Sequence, residues 1–217
     1  MSIVRKHALT ALIGLILGSP HCLVAQTVTW TGGAGSADAF WDVSKNWSPS
    51  LPGASNTVVI GDVSTTFRQN TVTISSLQDQ GELFMTGGQL NLSLPSSIGS
   101  LSLSGGGLNA GFWTTVTGSA SFNGGSINGG TLNLSGVTSI TGGGVTFSSG
   151  TINTSGTTAW SGNTAANGNT ITFIGATLNN TGTWQDTNPN ATSVTAPCCY
   201  SVSSAFDNFN VYNKTGA

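Results

Sequence analysis

Seven carboxylates are the residues of this chain best suited to acid–base chemistry: Asp38, Asp42, Asp62, Asp79, Glu82, Asp186 and Asp207. Cleaving a glycosidic bond needs two or three such groups converging on one face, with a His, Lys or Arg to assist or a bound cation. Both histidines, His7 and His21, sit in the apolar opening segment, and none of the acids falls inside the repeated units described below. Asp38 and Asp42 are the nearest pair of interest, and solvation of a loop accounts for them. No residue is therefore expected to be catalytic.

Metal and phosphate chemistry find no better footing. A calcium-binding nonapeptide repeat needs a periodic Asp after its glycines, whereas the glycine pairs of the repeats are followed by Gln, Gly, Ser or Thr. Gly105-Gly106-Gly107 and Gly142-Gly143-Gly144 lack the Lys-Ser/Thr and helix of a phosphate loop. No metal and no cofactor are expected. Two sets of residues remain. Trp113, Trp160 and Trp184 would stack on sugars if their rings were exposed and coplanar. The adjacent Cys198 and Cys199 fit a vicinal disulfide, an intermolecular bridge or two small buried residues.

The elements that position these groups follow from composition. Arg5 and Lys6 precede an apolar run, Ala8 to Gly18, that is too short to span a bilayer, so residues 1–25 read as a signal peptide cleaved after Ala25. Cys22 belongs to that segment. The mature chain keeps three basic residues against seven acidic ones, a net charge of −4, which offers nothing for nucleic acid or an anionic membrane. Charged residues make up 6% of the chain and hydrophobic ones 37%, so solubility rests on Ser, Thr, Asn and Gln while enough apolar surface remains to fold. Disorder with amyloid-like stacking is the main rival to a folded domain.

One pattern argues for the folded domain. An apolar residue, any residue, an apolar residue, two spacers, Gly, any residue, Leu or Ile, then Asn occurs four times, and once more with Ala in place of Gly. The copies run Leu83–Asn91, Leu101–Asn109, Ala120–Asn128, Val145–Asn153 and Ile171–Asn179. Apolar residues two apart point to one face of a strand, and Gly marks the turn that follows. The Asn positions are 18, 19, 25 and 26 residues apart, which suits one solenoid coil each. The expected fold is all-β, a right-handed parallel β-helix whose coils bury one another's apolar faces. Asn91, Asn109, Asn128, Asn153 and Asn179 are expected to form one hydrogen-bonded ladder. The domain plan is a cap region at 26–69, solenoid repeats at 70–182 and an irregular end at 183–217.

The cap region holds Trp30, Trp41 and Trp47, large rings suited to covering the open end of a solenoid. Its run of W-T-G-G, F-W, K-N-W and L-P-G, followed by V-T-I-S-S-L and G-G-x-L-N, resembles the start of autotransporter-type and related secreted bacterial β-helix proteins, including those with sorting-signal tails. The resemblance implies an exported passenger domain, displayed at or shed from the cell surface, in adhesion or biofilm roles, with no catalytic residues carried over. A translocating barrel and a sorting tail are missing from the pattern, and Asn213-Lys214-Thr215-Gly216-Ala217 reads as the middle of a repeat, as a truncated gene would leave it.

A structural or adhesive surface module contacting glycans or cell-surface proteins is the expected function, without a membrane span in the mature chain. A carbohydrate-binding module is the alternative, and a polysaccharide-active enzyme stands third. Ice binding ranks last, because Thr holds no fixed offset within the repeat.

Overall fold

The computed structural model describes residues 25–141, 144–162, 170–189, 193–195 and 203–215. Residues 1–24, Cys198 and Cys199 lie outside them, so of the signal peptide expected at 1–25 only Ala25 is described. Short runs of alternating Thr, Ser or Asn with Val, Ile, Leu or Phe dominate the chain, and that period of two is what a half-buried strand requires. The product is a parallel β-helix with three flat faces. Helix among the described residues amounts to two 3-10 turns, Ser36–Asp38 and Ser44–Asn46.

The first face is a ladder of Gln26–Trp30, Asn56–Ile60, residues 76–79, 96–98, Trp113–Val116, Thr131–Leu134, Thr151–Thr154, Thr177–Asn180 and Ala205–Asn208, all parallel. The second runs through Ser64–Phe67, residues 82–85, 101–103, Ala120–Phe122, Thr138–Ile140, Thr157–Trp160, Thr183–Asp186 and Val211–Lys214. The third runs through Thr71–Ile74, residues 89–92, 107–110, Ser126–Asn128, Val145–Ser148, Thr170–Ile174 and Ser193–Thr195. In the second coil all three faces belong to one extended run, Ser76–Leu92, whose register shifts fall at the corners.

Inward side chains stack coil on coil. Leu90, Leu108, Ile127, Phe147 and Phe173 share one row of the third face, each buried. Phe147 and Phe173 lie 5.6 Å apart and stacked, with Phe122 edge-on to Phe147 from the second face at 6.1 Å. Burial of each such chain contributes roughly 1.5–3 kcal/mol, and no single coil could supply it alone.

The repeat frame differs from the one read in the sequence. The first three copies of the motif span the corner from the second face to the third, while Val145–Asn153 and Ile171–Asn179 span the corner from the third face to the first of the next coil. The 25-residue step between Asn128 and Asn153 is one coil plus one face. A better marker is a glycine column at the corner between the first and second faces: Gly81, Gly99, Gly118, Gly136, Gly156 and Gly182. Each packs so closely on the coil before it that a Cβ would meet a backbone carbonyl, at 2.1 Å from Gly118 O in the case of Gly136. The domain boundaries also shift, because the ladders cross both 69/70 and 182/183. Asn56–Ile60 and Ser64–Phe67 already belong to the first full coil, and the described part of 183–217 continues all three faces.

The cap lies where the tryptophans were placed. Trp47–Ser48 pairs antiparallel with Gln26–Trp30 and covers its free edge. Trp41 and Trp47 are buried, and Trp30, Trp41 and Trp47 meet edge to face at 4.8 Å. Asn46, fully buried, holds the loop: its Oδ1 accepts from the Ala34 N–H, and its Nδ2 donates to the Asp38 and Phe40 carbonyls. Arg68 clamps this loop to the first coil through a two-pronged bond to Asp42 at 3.0 and 3.1 Å, with its guanidinium 3.6 Å from the centre of the Phe40 ring. Both charges are partly exposed, so Arg68→Met is expected to cost about 1 kcal/mol, read as a lower urea midpoint with unchanged slope.

Candidate functional site

A site for a ligand has to be built from outward side chains, and among the described residues Trp113 is an exposed aromatic side chain on a ladder. In Trp113–Val116, Thr114 and Val116 point inward, which turns Trp113 out; it is 51% exposed, and Phe112 beside it is 53% exposed. Their rings sit 4.8 Å apart and tilted by 55°, so Trp113 offers a single flat face with Phe112 as its shoulder.

Trp113 forms one wall of a groove of about 510 Å³ across the first face of the second to fourth coils. Gln78, Ser97 and Thr115, in register and pointing outward, line its floor, with Gln80 and Thr117 at the corner. Amide and hydroxyl groups both donate and accept hydrogen bonds, and an aromatic face beside them suits a ligand that is apolar on one side and rich in hydroxyls on the other.

Trp160 and Trp184 are not part of any such site. Both are inward, 2% and 0% exposed, and meet edge to face at 6.2 Å on the second face, with Phe206 at 4.9 Å from Trp184. Buried rings cannot touch a glycan, so their candidacy as sugar contacts is withdrawn.

The five repeat asparagines point outward but in two rows. Asn91, Asn109 and Asn128 are in register on the third face, where the next position is Ser148. Asn91 donates to Thr73 and Asn128 to Ser126, and no amide-to-amide bond links this row. Asn153 and Asn179 stand on the first face with Asn133, which the motif did not include. Here a ladder does form: the Asn179 Nδ2 donates to Asn153 Oδ1 at 3.0 Å, and the Asn153 Nδ2 to Asn133 Oδ1 at 2.8 Å. A second polar row lies inside the same face, buried at Thr154 and Asn180, where the Thr154 hydroxyl donates to Asn180 Oδ1 and the Asn180 Nδ2 to Asn208 Oδ1.

The acids are scattered. Asp38, Asp62 and Asp207 are exposed, and the Arg68 guanidinium holds the Asp42 carboxyl below its ordinary range. Asp186 is fully buried near the last coil. Its Oδ1 accepts from the Asn188 N–H and Nδ2 and from Lys214 Nζ at 3.3 Å, and its Oδ2 accepts from the Tyr212 hydroxyl. Burial first, then this carboxylate, pushes the Tyr212 hydroxyl upward.

Asp79 borders the groove but belongs to the interior. It stands in the inward row between Ile60 and Ile98, is 3% exposed, and accepts the Gly81 N–H at 2.9 Å on Oδ1. Its Oδ2 is buried without a partner among the described residues, and burial pushes its carboxyl up to about 6. It therefore closes the corner turn rather than reaching a ligand. Among the described residues no three His, Cys, Asp or Glu side chains are grouped to hold a metal, and no helix is long and apolar enough to cross a membrane.

No protein-family model, curated protein or solved structure matches this chain.

Proposed function

We propose that the chain is a non-catalytic binding module of an exported, adhesive β-helix, and that it docks glycans in the groove beside Trp113. The observation that carries the reading is a half-exposed indole set over outward Gln78, Ser97 and Thr115 on a rigid sheet. A large aromatic left in water on a strand that could have buried it loses burial energy, and contact with a ligand restores it. A sheet floor also suits binding, since its side chains are already ordered before the ligand arrives. Secretion through residues 1–25 and a place at the cell surface, facing glycans or neighbouring proteins, complete the reading.

The test is a glycan array followed by calorimetry on the wild type and Trp113→Ala. Removing an exposed ring should leave the melting temperature in place while affinity falls by roughly 10- to 100-fold, as for an aromatic hot spot. An array with no bound glycan, or a Trp113→Ala variant that binds as tightly as the wild type, would overturn the proposal.

A further inference from the structure

The groove does not end at Trp113. The outward column that begins at Gln78, Ser97 and Thr115 continues in register through Asn133, Asn153 and Asn179. Beside it, the column of Trp113 continues through Thr131, Thr151 and Thr177. The first face thus carries a repeated Thr-x-Asn pair in three successive coils, with all six side chains half-exposed. Coils succeed one another at about 4.8 Å, so the column from Gln78 to Asn179 is roughly 24 Å long.

The chemistry of the strip selects its occupant. In the ladder of Asn133, Asn153 and Asn179, each bond takes one amide hydrogen and one oxygen lone pair. Every amide has two of each, so the strip repeats a donor and an acceptor at each coil, held at fixed angles by the ladder. The Thr column adds a hydroxyl at the same period. No cation stands on either column: Arg68 is held by Asp42 at the cap, Lys45 lies in the cap's 3-10 turn, and Lys214 is on the second face. A polyanion would gain no ion pair here.

Resting on the reading of Trp113 as a glycan contact, we infer that this strip is a track for an uncharged, unbranched polysaccharide lying along the long axis of the β-helix, one end stacked on Trp113 and the rest hydrogen-bonded to the Thr and Asn columns. Successive sugars meet successive coils, so affinity grows with chain length.

The test uses the full secreted chain and size-graded neutral oligosaccharides, cello-, xylo- and chito-series, from disaccharide to octasaccharide. In the wild type, affinity should rise by at least about tenfold across one series. The triple variant Thr131→Val, Thr151→Val, Thr177→Val keeps β-branched side chains at outward positions and so keeps the fold. It should bind the disaccharide as before and lose most of the gain with length. Binding that depends on Trp113 but is flat with length, or a length gain that survives in the triple variant, would overturn the track and leave the Trp113 site standing. Binding of no saccharide in any series would overturn the track, and the Trp113 site falls with it only if the glycan array is also blank.

Discussion

Gly136→Ala should lower the melting temperature of the protein by roughly 10 °C, the effect of about 3 kcal/mol in a domain of this size. The added methyl would sit 2.1 Å from the Gly118 carbonyl oxygen and 2.7 Å from its carbon. Both atoms are backbone, held by a ladder in which Gly118 N–H donates to Gly99 O at 2.6 Å, so no side-chain rotation relieves the clash. The coils must separate locally, and separation breaks the stacking that stabilises each of them. Gly156 repeats the arrangement one coil on, with its Cβ position 2.2 Å from Gly136 O. Gly61 is the control: nothing lies within 4 Å of its Cβ position. Gly61→Ala should therefore be neutral or stabilise by about 0.4–1 kcal/mol, through loss of freedom in the unfolded chain. Thermal melts of the two variants side by side decide the matter; equal melting temperatures would mean that the corner can open without cost.

That column also explains why the fold was legible while its frame was not. Alternation of apolar and polar residues shows that neighbours two apart share a face, which sufficed for strands such as Ala120–Phe122 and Val145–Ser148 and for a parallel β-helix. It does not show which corner follows. The same apolar-pair, turn and Leu/Ile-Asn pattern serves two corners of the triangle, so its copies do not share one frame. The column Gly81, Gly99, Gly118, Gly136, Gly156, Gly182 has steps of 18 to 20 residues and one of 26, and it was open to discovery in the sequence. It is hidden among 31 glycines. The frame matters for function, since it is what brings Thr131, Thr151 and Thr177 into one column although threonine holds no fixed offset in the motif.

Parity decides the tryptophans in the same way. Trp113 is three residues from Val116 and so opposes it, a relation visible in W-T-T-V. Trp160 ends T-T-A-W, where no aliphatic neighbour sets the parity, and its register with buried Ile140 in the coil before shows that it points inward. Asp79 is two residues from Leu77 and hence inward by the same rule. Residue type points the other way there, since carboxylates usually stay in water because a buried charge is costly.

That cost makes the stability of the corner at Asp79 depend on pH. Its carboxyl rises from an ordinary 3.8 to about 6 on folding, because burial disfavours the charge more than the Gly81 N–H supports it. Between about pH 4 and pH 6 the folded state therefore binds more protons than the unfolded state. Unfolding free energy must fall as pH rises through that window, by about 3 kcal/mol in all, and stay low above it. Asp42, lowered by Arg68, acts in the opposite sense but in a window below pH 4, so the two effects separate on the pH axis. Asp79→Asn keeps an oxygen for the Gly81 N–H and removes the charge. It leaves an amide nitrogen where Oδ2 had no partner, which takes back about 1 kcal/mol. At pH 8 the variant should be more stable than the wild type by about 2 kcal/mol, and near pH 4 no more stable than it. Urea titrations at pH 4, 6 and 8 measure this directly. A wild type whose stability is flat from pH 4 to 8 would mean that water reaches the carboxylate and that the corner at Gly81 is open.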